Sequence, residues 1–235
     1  KPDHTYSPST KNAILQLQAQ NIKTIIATGR PLHEIKGLAK ELNIDSAIGF
    51  NGACAIVEGK VIVNETFDPD IVEKIVDVAK INGHGIVLST YGVNYLTDLD
   101  APETKLFIKT FDFKLNEEFS KADFNQALAL TVTRVNQDEA LEYGFNDLIQ
   151  PLQVNVPGMQ HCYDIVRTDI NKGYAVKKVL EYLQVTTEEA IAFGDGANDK
   201  EMMRSVGTSF AMGNADPLLF RYTTHRTTSV MDSGI

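Results

Sequence analysis

The stretch FGDGAND, residues 193–199, joins an apolar, strand-like run (190–193) to a helical pattern (199–206). Its glycines let the backbone turn tightly, and its two acids, Asp195 and Asp199, stand four residues apart across that turn. Mg2+ prefers carboxylate oxygens and keeps several waters, so a pair of acids at a strand-to-helix turn suits that ion. An ordinary turn with an acidic helix cap explains the same composition, but not why two acids flank it after a buried strand. The stretch therefore predicts an α/β fold with a site for a hard cation beyond the end of a strand.

A second short motif lies near the start of the chain. Thr28-Gly29-Arg30 follows the apolar run KTIIA (23–27) and leads into Pro31, which opens another helical pattern. A hydroxyl and free backbone N–H groups at a helix start bind phosphate through hydrogen bonds and the helix dipole. For the tripeptide taken alone, a plain helix cap at Thr28 is the simpler alternative.

Lys172 is the third candidate, in the segment Asn171-Lys172-Gly173 just ahead of a helical pattern at 173–183. Its ammonium group can neutralise phosphate charge and screen carboxylates nearby. For a lysine taken alone, an ordinary solvated position is the alternative. The three motifs gain meaning only in combination.

The order of the elements predicts a discontinuous core and an insert. Strand and helix patterns alternate over residues 1–67 and again over 169–235, as in an open, mostly parallel sheet. Residues 68–168 give mixed signals typical of an α+β unit with antiparallel strands. We therefore predict an α/β core from 1–67 and 169–235, with 68–168 as an inserted domain.

Local patterns also predict individual helices. Ser7-Pro8 is typical of an N-cap followed by proline at the first helical position, and Ala13, Ile14 and Leu17 recur on one face. This predicts an amphipathic first helix. A further helix is predicted from Asp138 to about Leu148.

Composition excludes several classes of function. The chain has 22 Lys and Arg against 31 Asp and Glu, a net charge of -9, and no basic cluster, which argues against a nucleic-acid partner. No apolar run reaches the ~20 residues that span a bilayer, so no membrane association is expected. Cys54 and Cys162 are too few and too far apart for a disulfide framework or a CxxC site. This low cysteine content fits a reducing cytoplasm, and we expect both thiols to be small, buried, apolar side chains.

Together these motifs resemble those of a known superfamily. IIATGR (25–30), INKG (170–173) and AFGDGAND (192–199), with a large insert between the first two, are similar to motifs two, three and four of the haloacid dehalogenase-like superfamily, specifically its Cof-type phosphatases of subclass IIB. Asn51-Gly52-Ala53 and AMGNA (211–215) resemble further segments of that group. The resemblance covers essentially the whole chain. It implies a Rossmann-like three-layer core with a C2-type cap, a Mg2+ ion, and hydrolysis of phosphate monoesters through an aspartyl-phosphate.

The resemblance also implies roles for individual residues. A hydroxyl and a backbone N–H would bind the transferring phosphoryl group, an ammonium group would stabilise its charge, and one acid would ligate Mg2+ with the other as a ligand or anchor. It implies catalytic roles for Thr28, Lys172 and Asp195; phosphate or substrate contacts for Thr28, Gly29, Asn51, Lys172 and Asn198; and metal ligation by Asp195 and Asp199.

One departure from the family pattern concerns the nucleophile. The first motif, DxDGT, supplies the nucleophilic aspartate at the end of the first core strand, and this chain does not contain it. Asp98-Leu99-Asp100 is the nearest alternative, but it lacks the Gly-Thr and falls in the insert, so we interpret it as a cap loop. Loss of that central strand would leave two sheet edges unpaired. We therefore expect roughly 15 to 20 further residues, including the nucleophile, upstream of residue 1.

These observations lead to a functional hypothesis with stated alternatives. The first is a Mg2+-dependent phosphatase of small phosphorylated metabolites such as sugar phosphates, whose cap selects the leaving group. The second is a non-catalytic phospholigand-binding or regulatory protein that keeps the pocket without the nucleophile. A phosphomutase of the same superfamily is a third, which a substrate profile distinguishes.

Overall fold

The computed structural model describes residues 6–154 and 156–234, and these divide into two compact units. The core unit comprises the chain up to Gly29, Lys36–Val63 and the chain from Asn171 onward; the cap unit comprises Arg30–Ile35 and Asn64–Ile170. The predicted domain ranges also contain residues 1–5, 155 and 235, which lie outside the described residues. The boundaries at 67/68 and 168/169 stay predictions.

Among the described residues, the core unit contains four helices and seven strands, and the cap unit three helices and six strands. The helices are α1 (Pro8–Ala19), α2 (Lys36–Glu41), α3 (Pro69–Asn82), α4 (Pro102–Phe111), α5 (Gln137–Ala140), α6 (Lys172–Leu183) and α7 (Lys200–Met203). The strands are β1 (Ile26–Ala27), β2 (Ala47–Gly49), β3 (Cys54–Val57), β4 (Lys60–Asn64), β5 (Gly85–Ser89), β6 (Asn94–Leu96), β7 (Asn116–Glu118), β8 (Ala129–Thr133), β9 (Ile149–Gln153), β10 (Tyr163–Arg167), β11 (Ile191–Gly194), β12 (Thr208–Ala211) and β13 (His225–Arg226).

The core unit contains two sheets. One has the order β1-β2-β3-β4, with β1 and β2 parallel and β2 and β3 antiparallel; the other has the parallel order β11-β12-β13. Helix α6 packs on the first sheet through Ala175 and Val179, which share a buried cluster with Ile48 and Val57. Helix α7 packs on the second sheet through Met202 and Met203. Burial of these apolar faces is what holds each helix on its sheet.

Strands β1 and β11 are each at the edge of their sheet, and neither has a second strand partner within the described ranges. The apolar side chains of β11 reflect this: Ile191 is 61% exposed and Phe193 is 39% exposed. Helix α1 buries none of its residues, so the predicted amphipathic helix forms but its apolar face is not covered by described residues. Its start is defined by Ser7, whose hydroxyl accepts from the Thr10 N–H at 3.1 Å, and by Pro8 at the first helical position.

The cap unit is built on one six-stranded sheet with the order β7-β6-β5-β8-β10-β9. All its pairings are antiparallel except β6 with β7. All five residues of β5 are buried, because Ile86 and Leu88 pack in one apolar cluster with α3 and Val87 packs in another with α4. A central strand covered on both faces is expected to read as a continuous apolar run, as GIVLS does.

Two local expectations differ from the structure. The helix predicted from Asp138 to about Leu148 is only α5, followed by a 3-10 turn at Leu141–Tyr143, because Gly144 and the turn after it end the helical pattern. The helical pattern opened by Pro31 begins as a 3-10 turn, Leu32–Ile35, before α2. Within the described residues, no helix combines the length and apolar character that crossing a membrane requires.

Candidate active site

Thr28 and Gly29 follow directly on β1 in the core unit. The backbone N–H of Thr28 donates to the Ile48 carbonyl at 2.9 Å, which extends the β1–β2 pairing by one residue. The Thr28 carbonyl accepts from the Asn51 N–H at 3.3 Å. The loop after β1 and the turn after β2 therefore lie side by side, as expected for the carboxyl ends of neighbouring parallel strands.

Asn51 contacts two of the other predicted site residues. A Cβ atom on Gly29 would lie 2.7 Å from the Asn51 side-chain oxygen, so only the absence of a side chain lets the two segments approach this closely. The same oxygen accepts a hydrogen bond from the Asn198 amide at 2.8 Å, across 147 residues of sequence. Gly29, Asn51 and Asn198 are thus joined by direct contacts.

Gly52 brings this turn to the start of α6. Its φ of 104° is in the left-handed region, and a Cβ atom would lie 2.1 Å from the Asn171 carbonyl oxygen. Asn171 in turn caps α6, because its side chain accepts from the Tyr174 N–H at 3.0 Å. The first residue of α6 is Lys172. The Asn171 cap and the close approach at Gly52 therefore fix the position of Lys172.

Lys172 and Asp199 form a buried ion pair. Each residue is 5% exposed, and Lys172 Nζ donates to Asp199 Oδ1 at 2.6 Å. The second oxygen, Asp199 Oδ2, accepts from the N–H groups of Asp195 and Gly196, both at 3.0 Å. A buried charge is costly unless it is paired and hydrogen-bonded, and here both carboxylate oxygens have donors. The pair therefore fixes the GDGAND turn relative to α6.

Asp195 is exposed immediately after β11. Its Oδ2 accepts from the Asn214 side-chain amide at 2.8 Å, and Asn214 Oδ1 accepts from the Val230 N–H at 2.8 Å. Asn214 therefore orients this carboxylate. The sequence pattern predicted no role for Asn214. Its position in the AMGNA segment was the sequence feature that could have indicated a site residue.

The acids of this cluster fit Mg2+ by the chemistry of their donors. Asp195 offers an exposed carboxylate oxygen, whereas both oxygens of Asp199 already accept hydrogen bonds within the protein. No group of three or more His, Cys, Asp and Glu that could hold a metal occurs among the described residues. Mg2+ is commonly held by one or two carboxylates, with waters and substrate phosphate completing its shell. Asp195 as the ligand and Asp199 as the anchor agree with that pattern.

The acids of the alternative Asp98-Leu99-Asp100 segment make ion pairs within the cap unit. Asp98 has a φ of 49° and accepts from Arg134 at 3.3 Å, and Asp100 accepts from Lys105 at 3.0 Å. The segment lies between β6 and α4. It is therefore a cap-unit loop whose two acids pair with basic residues of the same unit.

Comparison with known proteins agrees with this fold. A sequence model of the haloacid dehalogenase-like hydrolases matches residues 1–235. The HMP-PP phosphatase of Enterobacter sp. (strain 638) is 27% identical over 233 residues, which cover 95% of this chain and 84% of that protein.

Solved structures show the same fold. A hypothetical protein from Geobacillus kaustophilus HTA426 superposes with a TM-score of 0.88 at 23% identity, covering 99% of this chain and 90% of that one. The subclass IIB sugar phosphatase BT4131 superposes with a TM-score of 0.83 at 20% identity, covering 100% of this chain and 91% of that one. They confirm the predicted α/β core with an inserted α+β cap. Since the family model spans every residue, this chain belongs to the haloacid dehalogenase-like hydrolase family.

Proposed function

We propose that this protein is a Mg2+-dependent phosphatase that hydrolyses phosphate monoesters of small metabolites, with sugar phosphates as the leading class. One observation carries the proposal: the buried Lys172–Asp199 pair is bonded at 2.6 Å, and Asp199 holds the N–H groups of Asp195 and Gly196. Asp199 thereby joins the Lys172 ammonium group, at the start of α6, to the turn that carries the exposed Asp195 carboxylate. The names of a phosphatase relative and a sugar phosphatase neighbour support the same class.

The residues of this chain would act mainly by positioning and charge neutralisation, which dominate phosphoryl transfer. The Thr28 hydroxyl and the Gly29 N–H would bind oxygens of the transferring phosphoryl group. Lys172 would offset its negative charge. Asp195 would hold Mg2+, which when bound supplies further neutralisation at the phosphoryl oxygens. Asn51 and Asn198, already bonded to each other, would orient the substrate edge of the site.

The proposed chemistry has two displacement steps. In the first, an aspartate oxygen bonds to phosphorus while the phosphorus–oxygen bond to the alcohol breaks, and the acid/base aspartate that the family's first motif implies gives its proton to the leaving alkoxide. In the second, that acid/base carboxylate takes a proton from water as the water oxygen attacks phosphorus, the nucleophilic carboxylate leaves, and inorganic phosphate is released. The attacking aspartate is the one that the family's first motif supplies.

A non-catalytic phospholigand-binding role is the second candidate. It is favoured by one observation: of the two acids in the cluster, Asp199 has both oxygens engaged and Asp195 is bound by Asn214. Such a protein would bind a phosphosugar without releasing phosphate, even as the full-length polypeptide.

Both cysteines are free and buried, in agreement with the proposed cytoplasmic location.

The test is the full-length Asp195→Asn variant, assayed with p-nitrophenyl phosphate with and without Mg2+. We expect Mg2+-dependent turnover by the wild type and a loss of about a thousandfold or more in the variant, because the amide cannot replace the ligating carboxylate. Asp77→Asn, on the exposed face of α3, is the matched control and should turn over normally. Full activity of Asp195→Asn would overturn the assignment, and phosphosugar binding without turnover by the wild type would favour the second candidate.

A further inference from the structure

The chain enters the cap unit immediately after the phosphate-binding loop. Thr28 and Gly29 belong to the core unit, residues Arg30–Ile35 belong to the cap unit, and the chain returns to the core unit at Lys36. We call Arg30–Ile35 the strap. It is the part of the cap unit that lies closest in sequence to the loop proposed to bind phosphate.

A buried carboxylate fastens the strap within the cap unit. The Glu34 side chain is 0% exposed. Its Oε1 accepts from the Asn94 side-chain amide at 2.7 Å, and its two oxygens accept from the Lys114 N–H at 3.0 and 3.1 Å. The His33 ring nitrogen Nε2 lies 3.4 Å from the same oxygen. Glu34 thus collects donors from β6 and from the loop that follows α4.

The partners of Glu34 are themselves fixed. Asn94 is 0% exposed, and its side-chain oxygen accepts from the Ser89 hydroxyl at 2.8 Å, which ties it to β5 at the centre of the cap sheet. A second contact joins the start of the strap to the last residue of α4, because the Arg30 guanidinium donates to the Phe111 carbonyl. The strap is therefore attached near both of its ends.

Packing alone does not favour an acidic side chain at a buried position, because the free-energy cost of burying it is offset only when every hydrogen-bond donor is in place. Hydrogen bonds to a charged group are also stronger and more directional than contacts between apolar side chains. An apolar residue at position 34 would fill the space without specifying the position of the strap. The donor set around Glu34 specifies that position.

We propose that Glu34 is a positioning residue: by fixing the conformation of the strap, it restrains the backbone that continues directly from Thr28 and Gly29, the residues proposed to bind phosphate. The inference rests on the proposed function for the role of Thr28.

The kinetic test compares Glu34→Ala, Glu34→Gln and Glu73→Ala in the full-length protein, with p-nitrophenyl phosphate and a sugar phosphate. Glutamine keeps an oxygen that can accept from Asn94, whereas alanine removes the acceptor. We expect Glu34→Ala to lower kcat by about tenfold or more with KM changed by less than about threefold, because small displacements of positioned groups act on the transition state. Glu34→Gln should restore most of kcat. Glu73→Ala, an exposed acid of α3, should match the wild type.

Amide hydrogen exchange provides a readout that does not depend on activity. In Glu34→Ala, exchange of the Lys114 amide and of the strap should become faster, because the acceptor of the Lys114 N–H is lost. Asn94→Ala removes the same attachment from the opposite side and should produce the same kinetic and exchange changes.

The outcomes separate the two proposals. If the wild type is active and the kcat of Glu34→Ala is unchanged, the role of Glu34 is overturned and the phosphatase assignment stands. Unchanged exchange in the strap would overturn the attachment itself, whatever the activity. If the wild type hydrolyses no phosphate ester, the phosphatase proposal and the positioning role of Glu34 both fail, and exchange still decides whether Glu34 attaches the strap.

Discussion

At the scale of single residues, the Lys172–Asp199 pair is the feature on which the candidate site depends most. Both groups are almost completely removed from water, and the pair links the first residue of α6 to the turn after β11. Removing one member of such a pair leaves an unpaired charge in a poorly polarisable environment. The same two residues are therefore expected to affect both stability and catalysis.

We predict that Lys172→Met lowers the free energy of unfolding by about 3 kcal/mol, because Asp199 then remains buried with two amide donors but no cation. Asp199→Asn should also destabilise, since the ammonium group loses its counter-charge. The double variant should lose about 1–3 kcal/mol less than the sum of the two single losses, as expected for residues in direct contact. Urea unfolding of the four proteins measures this coupling. Additive effects would show that the two side chains are not paired in solution.

At the scale of elements, capping decides where several helices begin. Helix α5 begins with a capping box: the Asn136 side chain accepts from the N–H groups of Asp138 and Glu139, and the Glu139 carboxylate accepts from the Asn136 N–H. The hydrogen bond from the Asn136 N–H, with a smaller contribution from His84, holds the pKa of Glu139 below its usual value. Such local signals are visible in sequence. The predicted end of this helix near Leu148 was wrong, since the helical turns stop before Gly144.

Replacement of the cap residue gives a matched pair of variants. Asn136→Ala removes the acceptor for two N–H groups and should lower the free energy of unfolding by about 1 kcal/mol, whereas Asn136→Ser keeps a hydroxyl acceptor and should cost only a few tenths. Thermal and urea unfolding of both variants measure the difference. Equal losses in the two variants would mean that the side-chain cap contributes nothing here.

The capping box also has a pH dependence of known sign. Because the Glu139 pKa is lowered in the folded state, its contribution to stability is present above the carboxyl's ordinary pKa and is lost as the pH falls through the folded-state value. Glutamine at position 139 should therefore flatten part of the acid limb of the stability profile.

At the scale of the whole molecule, each unit contains one buried thiol. Cys54 lies in the core unit and Cys162 in the cap unit, with exposures of 0% and 1%. Burial raises the pKa of Cys54 to about 11, and burial together with the charge of Asp164 raises that of Cys162 to about 12. The thiolate, which is the reactive form, is thus strongly disfavoured in both folded units.

We predict that the two thiols of the 235-residue chain report the unfolding of their own units. Pulses of iodoacetamide at about pH 8 should label neither cysteine in the native protein. As urea increases, Cys54 should be labelled before Cys162, because the described core strands are divided between two small sheets and α1 has no buried residue, whereas the cap unit has one six-stranded sheet. Peptide mass spectrometry gives the two curves. Coincident curves would instead indicate one cooperative transition for both units.

The sequence by itself determined the α/β alternation, the inserted α+β region and the three motifs that carry Thr28, Lys172 and Asp195. These features follow from periodicity, turn chemistry and motif spacing, which act within short windows of chain. Only the tertiary structure decided that Asn214 orients Asp195, that Glu34 fastens the strap, and that the core strands form two separate sheets. Each of these depends on which distant groups are brought within hydrogen-bond distance. That choice is made by packing and by the need to satisfy buried polar groups, which no local pattern encodes.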